Sequence, residues 1–266
     1  MSSAPPPCRQ MGRQCRALNV TLRVSADLEA PSDGDDEATW LLGHTQRITF
    51  RRLWRHREDL FARVTLHVPC KYLSENGSGA CCDAWGYRGQ VAPSEARHQA
   101  RQFPNDEFRI VENGRVTTRQ LRQPAPTKRQ LAVLNVNPCA TARCRTSDNT
   151  IGAACCRDLQ IEIMCDERWT RQDLLVRSRQ SPYLCKVERE RPDSLEVEVI
   201  SACGYLGPDG VACTLHGRRR PDGSVAKPAL CRRWPKPTKD ETLHPGCVYQ
   251  KSVEGGRRVS KEVGAG

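Results

Sequence analysis

The chain has 266 residues, of which 38% are hydrophobic and 5% aromatic, with a formal net charge of +11. That length admits one large domain or two small ones, and that composition allows a core without making it generous. No run of about 18 apolar residues occurs, so no transmembrane helix is expected.

Residues 1–16 are Pro-rich and polar and lack an apolar h-region, so they read as a flexible tail and not as an export signal. The chain contains 15 cysteines. Without an export signal, such density points to a reducing, cytoplasmic setting, where cysteines serve as metal ligands or reactive thiols and not as disulfides. Cys8 and Cys15 fall in the tail and are expected to be spectators, although their Cys-x6-Cys spacing could join a site. The acidic stretch Asp33–Glu37 reads as a solvated loop.

Ala62–Val68 alternates apolar and polar residues and predicts a strand. It runs into Cys70-Lys-Tyr72-Leu73, followed by Cys81 and Cys82. Ser94–Gln102 is a candidate helix with a serine at its start, though the glutamate of a full capping box is missing. Arg119 to Arg129, with Pro124 and Pro126, reads as a linker. It separates an N-terminal half (17–130), whose Cys70, Cys81 and Cys82 read as a second site or a degenerate Cys knuckle, from a cysteine-rich metal-binding domain (131–250). Residues 251–266 read as a second tail.

In the later half, Leu131–Val136, Leu159–Met164 and Leu195–Ile200 predict strands, and Trp169–Ser178 a short helix. The expected fold class is α+β: a small, irregular, loop-rich fold with short antiparallel strands organised around cysteine metal knuckles. One internal repeat stands out. Cys70, Tyr72, Leu73 and Cys81 correspond to Cys203, Tyr205, Leu206 and Cys213, which suggests a duplicated knuckle.

The candidate metal ligands form two groups. The first is Cys139-x4-Cys144-x10-Cys155-Cys156. The second is Cys203, Cys213 and Cys231. A zinc or iron centre needs about four thiolate or imidazole ligands at 2.0–2.3 Å, and pairs of ligands on separate turns supply them. Adjacent cysteines such as Cys155 and Cys156 point apart on extended chain, so one can ligate while the other packs. Cys165, Cys185 and Cys247 read as structural. His216 reads as a packing or surface residue before a ligand, and His67 and His244 are weaker candidates. Tyr205 and Trp234 are expected to cover the site.

These elements resemble the YkgJ-type zinc- or iron-chelating family, known for a CxxCxxCC signature. Cys203-Gly-Tyr-Leu206, Cys213-Thr-Leu-His216 and Lys227-Pro-Ala-Leu-Cys231-Arg-Arg-Trp-Pro235 match its downstream motifs. The first cysteine group is stretched relative to the family, and the Cys213–Cys231 interval is longer. The resemblance covers about residues 135–236 and implies a metal-chelating module without a defined reaction.

The expected function is a metal-binding protein holding zinc, iron or an iron–sulfur cluster in a structural, carrier or redox role. A metal-dependent enzyme and a zinc-stiffened component of a larger assembly are the alternatives. No nucleophile elbow, zincin motif or phosphate-binding loop is present, so no catalytic residue is assigned. The basic charge suits a polyanion or reflects Arg-rich composition. Its densest runs, Arg51-Arg52 with Arg55 and Arg218–Arg220, are not interleaved with aromatics, so a protein partner or a second copy is expected before nucleic acid.

Overall fold

The computed structural model describes residues 15–24, 38, 40–44, 46–76, 79–83, 87–88, 106–112, 115–122, 139, 142–166, 169–228, 231–232 and 246–248. The candidate elements at Ser94–Gln102 and Leu131–Val136, and both Trp234 and His244, lie outside the described residues.

The strands are β1 (Leu18–Val24), β2 (Ile48–His56), β3 (Asp59–Leu66), β4 (Leu73–Asn76), β5 (Gly79–Cys82), β6 (Tyr87–Arg88), β7 (Glu107–Glu112), β8 (Arg115–Gln120), β9 (Asp158–Met164), β10 (Leu184–Glu190) and β11 (Ser194–Ile200). Helix α1 spans Thr170–Gln180, and Ala154–Cys156 forms a 3-10 turn. A helical turn also occupies residues 40–43. The expected mixture of antiparallel strands with few helices is therefore present. No helix among the described residues is long and apolar enough to cross a membrane.

One six-stranded antiparallel sheet, ordered β10-β11-β9-β1-β3-β2, carries the core. Period-2 alternation decides its buried face. β1 turns Leu18, Val20, Leu22 and Val24 inward, and β9 turns Leu159, Ile161 and Ile163 to the same cluster. The other face is polar: Thr65 Oγ1 donates to Asn19 Oδ1 at 2.8 Å, and Arg63 to Thr21 Oγ1 at 3.1 Å. Arg47 precedes β2 at one sheet edge and Tyr183 precedes β10 at the other. Their side chains nevertheless meet, with the guanidinium 3.5 Å from the ring centroid, so the sheet is curled.

Helix α1 buries Leu174 and Arg177. It carries Asp173 in its first turn and Arg177 and Arg179 in its last, which suits the helix dipole. It ends where Pro182 follows: Ser181 is extended at φ −113, ψ 135, as a residue before proline prefers.

The sheet draws strands from both sides of residues 119–129, and β1 pairs directly with β9. Part of that segment is itself ordered structure. β8 runs to Gln120, and Arg122 bridges to Arg219.

The repeat is larger than the knuckle alone. Cys15-Arg16-x-Leu18-x-Val20-x-Leu22 aligns with Cys156-Arg157-x-Leu159-x-Ile161-x-Ile163. Each half is a strand, a helical segment and a hairpin. The registers agree: Leu18 pairs with Leu66, and Leu159 with Val199. Leu22 and Ile163 hold equivalent places and face each other where β1 meets β9. An approximate internal two-fold axis therefore passes between them.

Candidate metal centre

The centre is built where β11 ends. Cys203 N–H donates to the Cys156 carbonyl at 2.8 Å, which fixes the end of the 3-10 turn against the exit of β11. Leu206 N–H returns to the Cys203 carbonyl at 3.1 Å, and Leu206 bridges to Cys213. The intervening turn is tightened by Asp209, whose Oδ1 accepts from the N–H groups of Val211 (3.0 Å) and Ala212 (2.9 Å). Gly210 takes φ +68, and a side chain there would collide with the Arg157 guanidinium, which donates to the Gly210 carbonyl at 3.0 Å. Arg157 therefore ties the Cys156 segment to the turn that carries Cys213.

The first cysteine group is folded onto the same place. Cys144 is buried, and its carbonyl accepts from Gly152 N–H at 2.7 Å. Arg145 N–H donates to the Gly246 carbonyl at 2.9 Å, which brings in Cys247.

The thiols lie close enough to bias one another's protonation. Burial pushes Cys139 up to about 11; Lys227 opposes this, and Cys156, Cys144 and Cys247 add to it. Cys155 is pushed well up by its hydrogen bond with Cys156, then by burial and the charges of Cys156, Cys139 and Cys231. Cys156 is lowered, because it accepts from Cys155 and faces Lys227 and Arg157, although burial opposes them. Burial and then Cys156 raise Cys203, Cys213 and Cys231 alike. Cys156 is thus the common neighbour of Cys139, Cys155, Cys203, Cys213 and Cys231.

Backbone N–H groups point at two of the sulfurs. Tyr205 N–H supports Cys203, and the N–H groups of Leu215 and His216 support Cys213. Such bonds favour the thiolate, the form that binds a metal. Tyr205 is buried in a cluster with Phe108, Ile110, Leu121, Leu215 and Ala226, against which Cys203 and Cys213 pack. Its hydroxyl accepts from Arg109 N–H at 2.9 Å. The β7–β8 hairpin therefore roofs the cysteines.

All seven sequence-predicted ligands, Cys139, Cys144, Cys155, Cys156, Cys203, Cys213 and Cys231, share this neighbourhood. Cys247, read from sequence as structural, joins them through Cys139. Cys165 lies elsewhere, beside Arg171 and Asp166. Cys15, read as a tail spectator, is instead a folded residue whose carbonyl accepts from Cys70 N–H at 2.8 Å. The signal was available, because Cys15-Arg16 repeats Cys156-Arg157.

The twelve cysteines whose side chains are described form no disulfide. As they stand, no group of three or more His, Cys, Asp or Glu side chains among the described residues is arranged to hold a metal ion. No protein-family model matches the chain, and no curated protein or solved structure matches it either.

Proposed function

We propose that this chain is a thiolate metal-binding protein, holding zinc or iron (an iron–sulfur cluster included) in a structural, carrier or redox role. The observation that carries this reading is the gathering of cysteines from separate segments around Cys156. Cys139, Cys155, Cys203, Cys213 and Cys231 all interact with it. Bringing so many thiols together costs loop entropy, and burying them without partners adds nothing that apolar residues would not supply better. A soft cation offsets both costs.

The donor set fits such a cation. Thiolates suit zinc and iron–sulfur centres, Lys227 and Arg157 offset the surplus negative charge, and the N–H groups at Cys203 and Cys213 are aimed as a metal thiolate requires. The backbone bond from Cys203 to Cys156 and the bridge of Leu206 to Cys213 support this reading. The resemblance to the YkgJ-type chelating family points to the same chemistry, and a reducing, cytoplasmic setting would keep the thiols available.

The test is anaerobic purification followed by elemental analysis and optical spectra. Bound zinc, or an iron-linked charge-transfer spectrum, that disappears in Cys203→Ser/Cys213→Ser supports the reading. A colourless protein that carries no metal and takes none up overturns it.

A further inference from the structure

We infer that the fold carries a second thiolate site for a zinc-class cation, built on Cys15, Cys70 and Cys82, at the place the internal two-fold axis pairs with Cys156, Cys203 and Cys213. The inference rests on the metal-binding reading above and extends it to the other half of the chain.

The two places share a hydrogen-bond pattern. Cys70 N–H donates to Cys15 at 2.8 Å, as Cys203 does to Cys156 at 2.8 Å. Leu73 N–H returns to the Cys70 carbonyl at 3.0 Å, as Leu206 does to Cys203 at 3.1 Å. Asp83 N–H donates to the Tyr72 carbonyl at 2.8 Å, as Thr214 does to Tyr205 at 2.8 Å. Leu73 pairs with Cys82, as Leu206 pairs with Cys213. The partner of Cys213 is therefore Cys82 and not Cys81, one residue away from the match that sequence spacing suggests.

Each site is also held from the opposite half. Lys71 N–H donates to Gln180 at the end of α1, and Gly204 N–H donates to Gly43 at the end of the first helical turn, both at 2.6 Å. Arg177 of α1, itself buried, donates to the carbonyls of Cys15 (2.8 Å) and Val68 (2.7 Å). A guanidinium bonded to the backbone beside Cys15 and Cys70 holds these cysteines in place. Three cysteines outside any disulfide, on a backbone that matches the other site, are one short of a closed tetrahedral set, and the Cys70 thiol, which donates to Gln180 Oε1 at 3.4 Å, would release that bond on binding a cation.

The experiment titrates the full, reduced chain anaerobically with Co2+, reading thiolate-to-cobalt charge transfer. The C-terminal cysteines could take more than one ion, so the readout is a difference. Cys70→Ser/Cys82→Ser should bind about one equivalent fewer than wild type and keep the signal that Cys203→Ser/Cys213→Ser loses. On the wild-type chain, Zn2+ should slow iodoacetamide labelling of Cys15, Cys70 and Cys82 by about tenfold or more, read by mass spectrometry, whatever the folding of the variants. Unchanged stoichiometry in Cys70→Ser/Cys82→Ser, or no protection at the three thiols, overturns the second site. The C-terminal reading survives either result if Cys203→Ser/Cys213→Ser still loses metal, and falls with the second site if the wild type binds none.

Discussion

Gly43 and Cys203 touch across the two halves of the chain: a carbon added to Gly43 would stand 3.0 Å from Cys203 Sγ and 3.0 Å from the Tyr205 ring. The Gly43 carbonyl also accepts the Gly204 N–H at 2.6 Å, so the backbone cannot simply retreat. Gly43→Ala should displace the sulfur or the ring and destabilise the fold by about 1–3 kcal/mol. If the displaced sulfur is a ligand, the loss should be larger in metal-loaded than in metal-free protein. Urea unfolding of both forms measures the difference, and equal losses would mean that Gly43 serves packing alone.

His44, one residue on, makes stability depend on pH. It is fully buried, and its Nδ1–H donates to the Ser201 carbonyl at 2.5 Å. Nε2 is buried without a hydrogen-bond partner among the described residues, and Trp40 lies edge-on at 5.1 Å. Burial lowers its pKa from 6.5 to about 4 against the opposing carbonyl bond. The folded state therefore resists the proton that the unfolded chain accepts below pH 6.5. Its contribution is fully present above that pH and is lost as pH falls toward 4, by about 3 kcal/mol in all. Unfolding free energies at pH 7, 6, 5 and 4 should show this slope, and His44→Gln should flatten it.

Arg177 provides a third test. It reaches two backbone carbonyls from a buried position, and removing it takes a donor from the Val68 carbonyl and leaves the Cys15 carbonyl to the Cys70 N–H. Arg177→Met should cost about 3 kcal/mol or more. Arg177→Lys should recover only part of this, because an ammonium lacks the planar fork that serves two acceptors. Hydrogen exchange at the Cys70 amide, bonded to Cys15, should accelerate in Arg177→Met more than exchange in β9.

The strands with plain alternation were legible in the sequence. Leu159–Met164 and Leu195–Ile200 fall within β9 and β11, Ala62–Val68 overlaps β3, and the Trp169–Ser178 helix is α1 shifted by one or two residues. β2 was not legible, because ITFRRLWRH presents arginines on a partly exposed edge and its apolar period is broken by a bulge between Phe50 and Arg52. The pairing of β1 with β9 joins residues about 140 apart, and no local pattern announces such a contact. The C-terminal cysteines were found because ligand spacing is local within each turn. Cys15 was assigned to a tail because the Pro-rich stretch at Pro5–Pro7 precedes it, while its place in the fold is set by a bond to Cys70. The match of Cys82 with Cys213 was hidden by a two-residue difference in loop length, which hydrogen bonding resolves and counting does not.

The central β1–β9 pairing and the shared core predict how the chain tolerates cutting. Leu22 and Ile163 are both fully buried in one cluster fed by both halves. Fragments 1–130 and 131–266 should each expose that face and fail to fold cooperatively alone, and should regain a single unfolding transition when mixed. Circular dichroism of the fragments, separate and combined, reads this out. Independent cooperative folding of either fragment would show that the sheet is two units docked together.

Protons and metal should compete at the C-terminal cysteines. Burial holds Cys139 at about 11 and raises Cys203 and Cys231, so these thiols carry protons at pH 7 in the metal-free chain. A bound cation favours the thiolate, so each such ligand must release its proton on binding. Affinity then rises with pH by about tenfold per unit for each proton released, and several ligands multiply the effect. The rise should persist to high pH, because the thiols remain protonated there, unlike ordinary cysteines that are already ionised near pH 9. Chelator competition with Zn2+ at pH 6.5, 7.5 and 8.5 measures the slope. A slope near zero would mean that the cation is held by groups already deprotonated, such as carboxylates, and would remove the cysteines from the ligand set.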